Sequence, residues 1–144
     1  MADNPLVGAW KLVGYKCKVG ERELAAPRGQ DAVGYILYTE SGHMSVQIGA
    51  ADRPPYATPD PLGGTAEEKG RAANTYIAYC GTYELFEDRV VHHVEQAFFP
   101  NRIGMAMVRY YKLEGDRIDL TTPPLLIGGE EKVCTISWLS LIHI

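Results

Sequence analysis

Short stretches in which apolar and polar residues alternate with a period of two run through most of the chain, cut at close intervals by Gly, Pro, Asp and Asn. Successive side chains of a strand point to opposite faces, so this alternation writes strands with one buried face. Linked by short turns, such strands form an antiparallel meander. Eight segments can be read this way, at 7–18, 32–38, 43–48, 82–86, 90–97, 105–113, 117–122 and 132–138. Glu40-Ser41-Gly42 sets a tight hairpin between the second and third, because Gly readily takes the positive φ that such a turn needs. Glu87-Asp88, Pro100-Asn101 and Glu114-Gly115-Asp116 mark further turns. From 51 to 64 four prolines and two glycines break every period and predict a loop. Thr65 follows as an N-cap with Glu67 and Glu68 in the first turn, which predicts one helix over 66–77. About eight strands is the number at which a meander closes around side chains or one small ligand, and closure removes exposed sheet edges. The expected fold is therefore all-β, an antiparallel barrel with one short helix.

At 144 residues the chain is long enough for one domain with a real core and too short for two. Hydrophobic residues make up 46% and charged residues 22%, an ordinary globular balance. A net charge of −4 leaves no cationic face able to displace counterions from a phosphate backbone, which argues against a nucleic-acid partner. No basic segment leads into an apolar run at the start, and no stretch reaches the roughly 18 apolar residues of a membrane span. The expectation is a cytoplasmic protein with no membrane partner. Cys17, Cys80 and Cys134 are far apart and lack Cys-x-x-Cys spacing, so all three are expected to be reduced and packed in the core.

The final residues, Leu139-Ser140-Leu141-Ile142-His143-Ile144, match the peptide encoded by CTG TCT CTT ATA CAC ATC, a transposon end used in sequencing adapters. Residues 1–138 are accordingly read as the domain and 139–144 as a foreign tail, which removes His143 from the candidate sites. The alternative is an ordinary apolar strand end.

In each strand the more apolar of the two alternating sets should face the lumen. Over 90–97 that set is Val90, His92, Val94 and Gln96, while His93 and Glu95 face water. Over 105–113 it is Met105, Met107, Arg109, Tyr111 and Leu113. Neighbouring strands would then bring His92 close to Arg109 inside an apolar chamber. A buried guanidinium is costly unless a ligand, a carboxylate, a carbonyl or water meets it. Imidazole titrates near neutrality and suits proton transfer if a substrate reaches it, although a hydrogen-bonded core histidine is the commoner case. Tyr76, Tyr79, Tyr83 and Tyr111 could line the chamber with an apolar ring and one polar handle each, or simply pack the core.

His92 and His93 are adjacent on a strand and point apart, so they cannot grip one metal ion; His93 and Glu95 share a face but have no evident third ligand. No Gly-x-Ser-x-Gly elbow, P-loop or dinucleotide glycine fingerprint occurs. No metal and no cofactor is expected.

Gly8-Ala9-Trp10 resembles the Gly-x-Trp opening of lipocalins. Tyr38-Thr39-Glu40-Ser41-Gly42-His43-Met44-Ser45, Tyr79-Cys80-Gly81-Thr82-Tyr83 and His92-His93-Val94-Glu95 extend the likeness. With Phe99-Pro100-Asn101-Arg102-Ile103-Gly104, Val108-Arg109 and Leu120-Thr121-Thr122-Pro123-Pro124 it covers nearly all of 6–138. The chain thereby resembles the lipocalin-like domain family of small bacterial and fungal barrels. That resemblance implies a barrel with a central cavity, one end closed by Trp10. Two functions stay open. In the first, the barrel binds a small apolar or amphipathic metabolite, with Val90, Val94, Gln96, Met107 and Tyr111 as walls and His92 and Arg109 as polar anchors. In the second, it is an isomerase, cyclase or other proton-transfer enzyme with His92 as acid or base and Arg109 stabilising negative charge. Assembly into a homodimer is left open.

Overall fold

The computed structural model describes residues 4–24 and 31–141. In chain order its elements are β1 (Gly8–Val19), β2 (Arg22–Leu24), β3 (Val33–Tyr38), β4 (His43–Gly49), α1 (Ala66–Asn74), β5 (Tyr76–Leu85), β6 (Arg89–Ala97), a 3-10 turn (Pro100–Arg102), β7 (Ala106–Glu114), β8 (Arg117–Thr121), β9 (Leu125–Ile127) and β10 (Glu130–Ser140). The sheet runs β2-β1-β3-β4-β5-β6-β7-β8-β10-β9, and β1 also pairs with β10. That last pairing is antiparallel from Trp10↔Ser140 to Lys18↔Val133 and closes the sheet on itself. Eight strands thus make a closed antiparallel barrel, with β2 and β9 added as short partners of β1 and β10.

Alternation places the core as the sequence suggests. In β3 Ile36 and Tyr38 are buried while Val33, Tyr35 and Leu37 are exposed, and in β4 Met44, Val46 and Ile48 turn inward. The short turns at 39–42, 86–88 and 115–116 gather at one end of the barrel, where Trp10 is buried and its Nε1 donates to the Leu6 carbonyl at 2.9 Å. The longer connections at 50–75, 98–105 and 122–129 gather at the other end.

Two glycines let strands approach where no side chain fits. A Cβ on Gly34 would run into the Gln47 carbonyl oxygen, and one on Gly81 into that of His93. Gly34→Ala or Gly81→Ala should therefore lower stability by about 1–3 kcal/mol, the usual cost of overpacking. Gly70→Ala, which meets nothing within 4 Å on α1, should be neutral or gain up to about 1 kcal/mol. Urea unfolding of the three variants checks the contrast.

The helix is shorter than its sequence suggests, ending at Asn74. Its start is built as expected: the Thr65 side chain accepts from the Glu68 amide, and Glu68 accepts from the amides of Thr65 and Ala57. Those backbone donors pull the Glu68 carboxyl below its ordinary value. At the other end Thr75 donates from its hydroxyl to Arg71 and Ala72 carbonyls, and Arg53 donates to Ala72 O and Thr75 Oγ1 while covering the Tyr76 ring. Strand β5 consequently starts at Tyr76 rather than near 82, because Tyr76 to Thr82 pair along β4. Among the described residues no helix is long and apolar enough to cross a membrane.

The expectation of three reduced cysteines is overturned. Cys17 and Cys134 are directly opposed across the β1–β10 seam, both point inward, and their sulfurs are bonded at 2.09 Å. Spacing along the chain hid this, because the two residues lie 117 positions apart and meet only when the barrel closes. Cys80 is a free, exposed thiol on the outer wall rather than a core residue. Strand β10 continues through Leu139 and Ser140, paired with Lys11 and Trp10, and residues 142–144 lie outside the described residues.

Candidate functional site

Strands β6 and β7 pair with Val90↔Arg109 and His92↔Met107, so His92 and Arg109 are diagonal neighbours on the inner wall. Both are buried, at 1% and 5% exposure. Both side chains turn into the barrel and border the same cavity.

His92 is held between two phenols. Its Nε2 lies 2.7 Å from the Tyr38 hydroxyl on β3, and its Nδ1 lies 2.7 Å from the Tyr79 hydroxyl on β5. A neutral imidazole has one N–H and one lone pair, so it donates to one tyrosine and accepts from the other. Burial, then the positive charge of Arg109 and finally His93, push the His92 pKa down to about 3. Burial likewise pushes the Tyr38 hydroxyl well above its ordinary value, with Tyr79 and Tyr83 adding and Arg109 opposing. A neutral imidazole thus links Tyr38 and Tyr79 in one buried row. Tyr38 packs edge-on against Tyr83, whose hydroxyl donates to Thr39 O and accepts from Asn4.

Arg109 is different. Its Nη1 donates to the carbonyl of Val108 at 2.8 Å, and among the described residues no carboxylate forms an ion pair with it. Two strands along the wall, Trp138 on β10 is 1% exposed, and its Nε1 is buried with no acceptor among the described residues. Arg109 and Trp138 border the same cavity, of about 90 Å³. Its walls are largely apolar, with Ile36, Val46, Leu120 and Ile136 prominent. Tyr15, Arg102, Leu125 and Ile127 lie toward the long-connection end, and Cys134 of the disulfide also borders the space. Helix α1 has no buried residue and contributes nothing to the lining.

Several expected wall residues lie elsewhere. Val90, Val94 and Met107 do point inward, but they fill solid core and do not border the cavity. Tyr111 is only half-buried, and its hydroxyl donates to the carbonyls of Phe86 and Glu87 at the short-turn end. Gln96 faces outward. The pairs Gly81↔Val94 and Cys80↔Gln96 leave Glu95 as an extra residue, and this bulge inverts the alternation beyond Val94. His93 is on the outer wall as expected, 2.6 Å from Glu84.

Sequence reading passed over Tyr38 and Trp138. Tyr38 follows Gly34 and Ile36 on one face of β3, and Trp138 follows Cys134 and Ile136 on β10. The same alternation that found His92 and Arg109 would have found both.

The lipocalin-like domain model matches residues 7–140 of the chain. A protein of Aspergillus oryzae named 4'-hydroxy-3'-methoxypropiophenone carrier protein ppsC is 34% identical over 107 residues, covering 68% of this chain and 96% of that protein. No solved structure matches the chain. A match across almost the whole barrel makes this chain a member of the lipocalin-like domain family.

Proposed function

We propose that the barrel binds and carries a small, mostly apolar molecule that presents a hydrogen-bond-accepting oxygen to Arg109 and Trp138. The observation that carries this reading is an apolar cavity bordered by Arg109, whose one hydrogen bond among the described residues is Nη1 to the Val108 carbonyl, and by Trp138, whose Nε1 has no acceptor among them. A buried donor left unmade costs roughly 1–3 kcal/mol, and more when charged, so an acceptor on a guest regains energy that the empty barrel forgoes. Carriage of an aromatic ketone by the Aspergillus oryzae relative, as its name states, fits the same chemistry, since such a molecule is a ring with acceptor oxygens.

The enzyme reading receives less support. Both ring nitrogens of His92 are occupied by tyrosine hydroxyls, and its pKa of about 3 leaves it a poor base near neutrality. His92 then serves to hold Tyr79 in place at the cavity wall.

The test is a titration with 4'-hydroxy-3'-methoxypropiophenone followed by tryptophan fluorescence. Trp138 borders the cavity and Trp10 does not, so a saturable signal that disappears in Trp138→Phe is expected. Arg109→Met should weaken binding about 10–100-fold, corresponding to one lost hydrogen bond from a charged donor. Retention of full affinity in Arg109→Met would remove the anchor from this reading.

A further inference from the structure

The cavity is electrostatically one-sided. Its described lining contains two arginines, Arg109 deep inside and Arg102 toward the mouth, and no aspartate or glutamate. This stands against the chain as a whole, which carries 18 acidic and 14 basic residues. The other titratable groups facing the space are Tyr79 on β5, His92 on β6 and Tyr15 on β1, with Tyr38 behind His92 on β3; β4 and β8 bring none. Cys134 on β10 is tied in the disulfide. Neither His92 nor Tyr38 serves as a counterion there: the imidazole is uncharged at neutral pH, and burial makes Tyr38 resist ionisation.

Resting on the carrier reading, we infer that the guest is bound as a monoanion: an apolar molecule whose single acidic oxygen group, phenolate or carboxylate, is the missing counterion of Arg109. A guanidinium in an apolar cavity gains little from a neutral acceptor compared with a negative one, because low local polarity magnifies the attraction between opposite charges. The same geometry supplies a second donor to that oxygen from Trp138 Nε1. Pairing inside the barrel would neutralise a buried charge that meets no carboxylate among the described residues. The ionisable proton of the guest leaves to solvent, since the histidine that could take it is held neutral by its surroundings.

The test uses ligand pairs on the unmodified protein, so it does not depend on a variant folding. The first pair is 4'-hydroxy-3'-methoxypropiophenone and its 4'-methyl ether, and the second is 4-methoxybenzoate and its methyl ester. Binding of the phenol is followed by the red-shifted absorbance of its phenolate across a pH series. The expected result is an apparent pKa of the bound phenol at least one unit below that of the free phenol, with the ether bound at least ten-fold more weakly than the phenolate. Tight binding of the benzoate but not its ester supports the same inference and makes a carboxylate the preferred group. In Arg109→Met the phenol's pKa shift should vanish. If the phenol binds with an unchanged or raised pKa, or ether and phenol bind equally, the inference is overturned while the carrier reading stands. Failure of all four compounds to bind overturns both.

Discussion

His92→Phe is expected to destabilise the barrel by on the order of 2–6 kcal/mol at pH 7, although the ring is replaced by one of similar shape. Two tyrosine hydroxyls depend on that imidazole, and each loses its partner; a buried hydroxyl left unpaired costs roughly 1–3 kcal/mol. The variant should also change how stability depends on pH. In the unfolded chain a histidine titrates near 6.5, whereas His92 in the barrel titrates at about 3. The unfolded state therefore binds more protons between these values, so stability rises with pH across that window. The contribution is complete above about pH 6.5 and is lost as pH falls toward 3. Between pH 6.5 and 5 the loss amounts to about 2 kcal/mol, at roughly 1.4 kcal/mol per pH unit. Most carboxylates remain ionised there, and the other histidines are common to both proteins, so the difference between wild type and His92→Phe isolates this residue. Urea unfolding at pH 7, 6 and 5 measures it. Parallel pH profiles for the two proteins would mean that His92 is not the buried neutral group described here.

The parts of the molecule legible in its sequence are those governed by a local period. Strand positions along β1, β3, β4, β6, β7, β8 and β10 follow from alternation, and so does the inward direction of His92 and Arg109, since that direction repeats every second residue. Gln96 shows where the period fails. One extra residue at Glu95 reverses every side chain beyond it, and nothing in His92-His93-Val94-Glu95-Gln96 announces the bulge, because it is set by how β6 meets Cys80 and Gly81 of β5. The start of β5 was obscured for a related reason. Tyr76-Ile77-Ala78-Tyr79 suits either a helix end or a strand, and the choice falls to β4, whose unpaired edge would otherwise stay open. Depth along the barrel was equally hidden. Val90, Met107 and Tyr111 share a face with Arg109, yet alternation says which way a side chain points and not whether it borders the cavity or fills the closed end. The Tyr38–His92–Tyr79 row joins three strands and required the whole cross-section.

Loss of the Cys17–Cys134 bond should destabilise the protein by about 2–5 kcal/mol, the range for removing a native bridge that closes a long loop. The two cysteines are 117 residues apart, and they join the first and last strands of the barrel, so the bridge restricts nearly the whole unfolded chain. It also lies beside the cavity, where Cys134 is part of the wall. Cys17→Ala with Cys134→Ala should therefore lower the urea midpoint strongly, and a reducing agent should bring the wild-type protein to a similar value. Alkylation provides the check on the bond itself. Unfolded without reductant, the chain should take up one iodoacetamide, at Cys80, and after reduction it should take up three. Uptake of three without reduction would show the seam to be held by strand pairing alone. In that case the double variant should lose only what two small buried side chains contribute by packing, because the β1–β10 hydrogen bonds from Trp10 to Lys18 do not depend on sulfur.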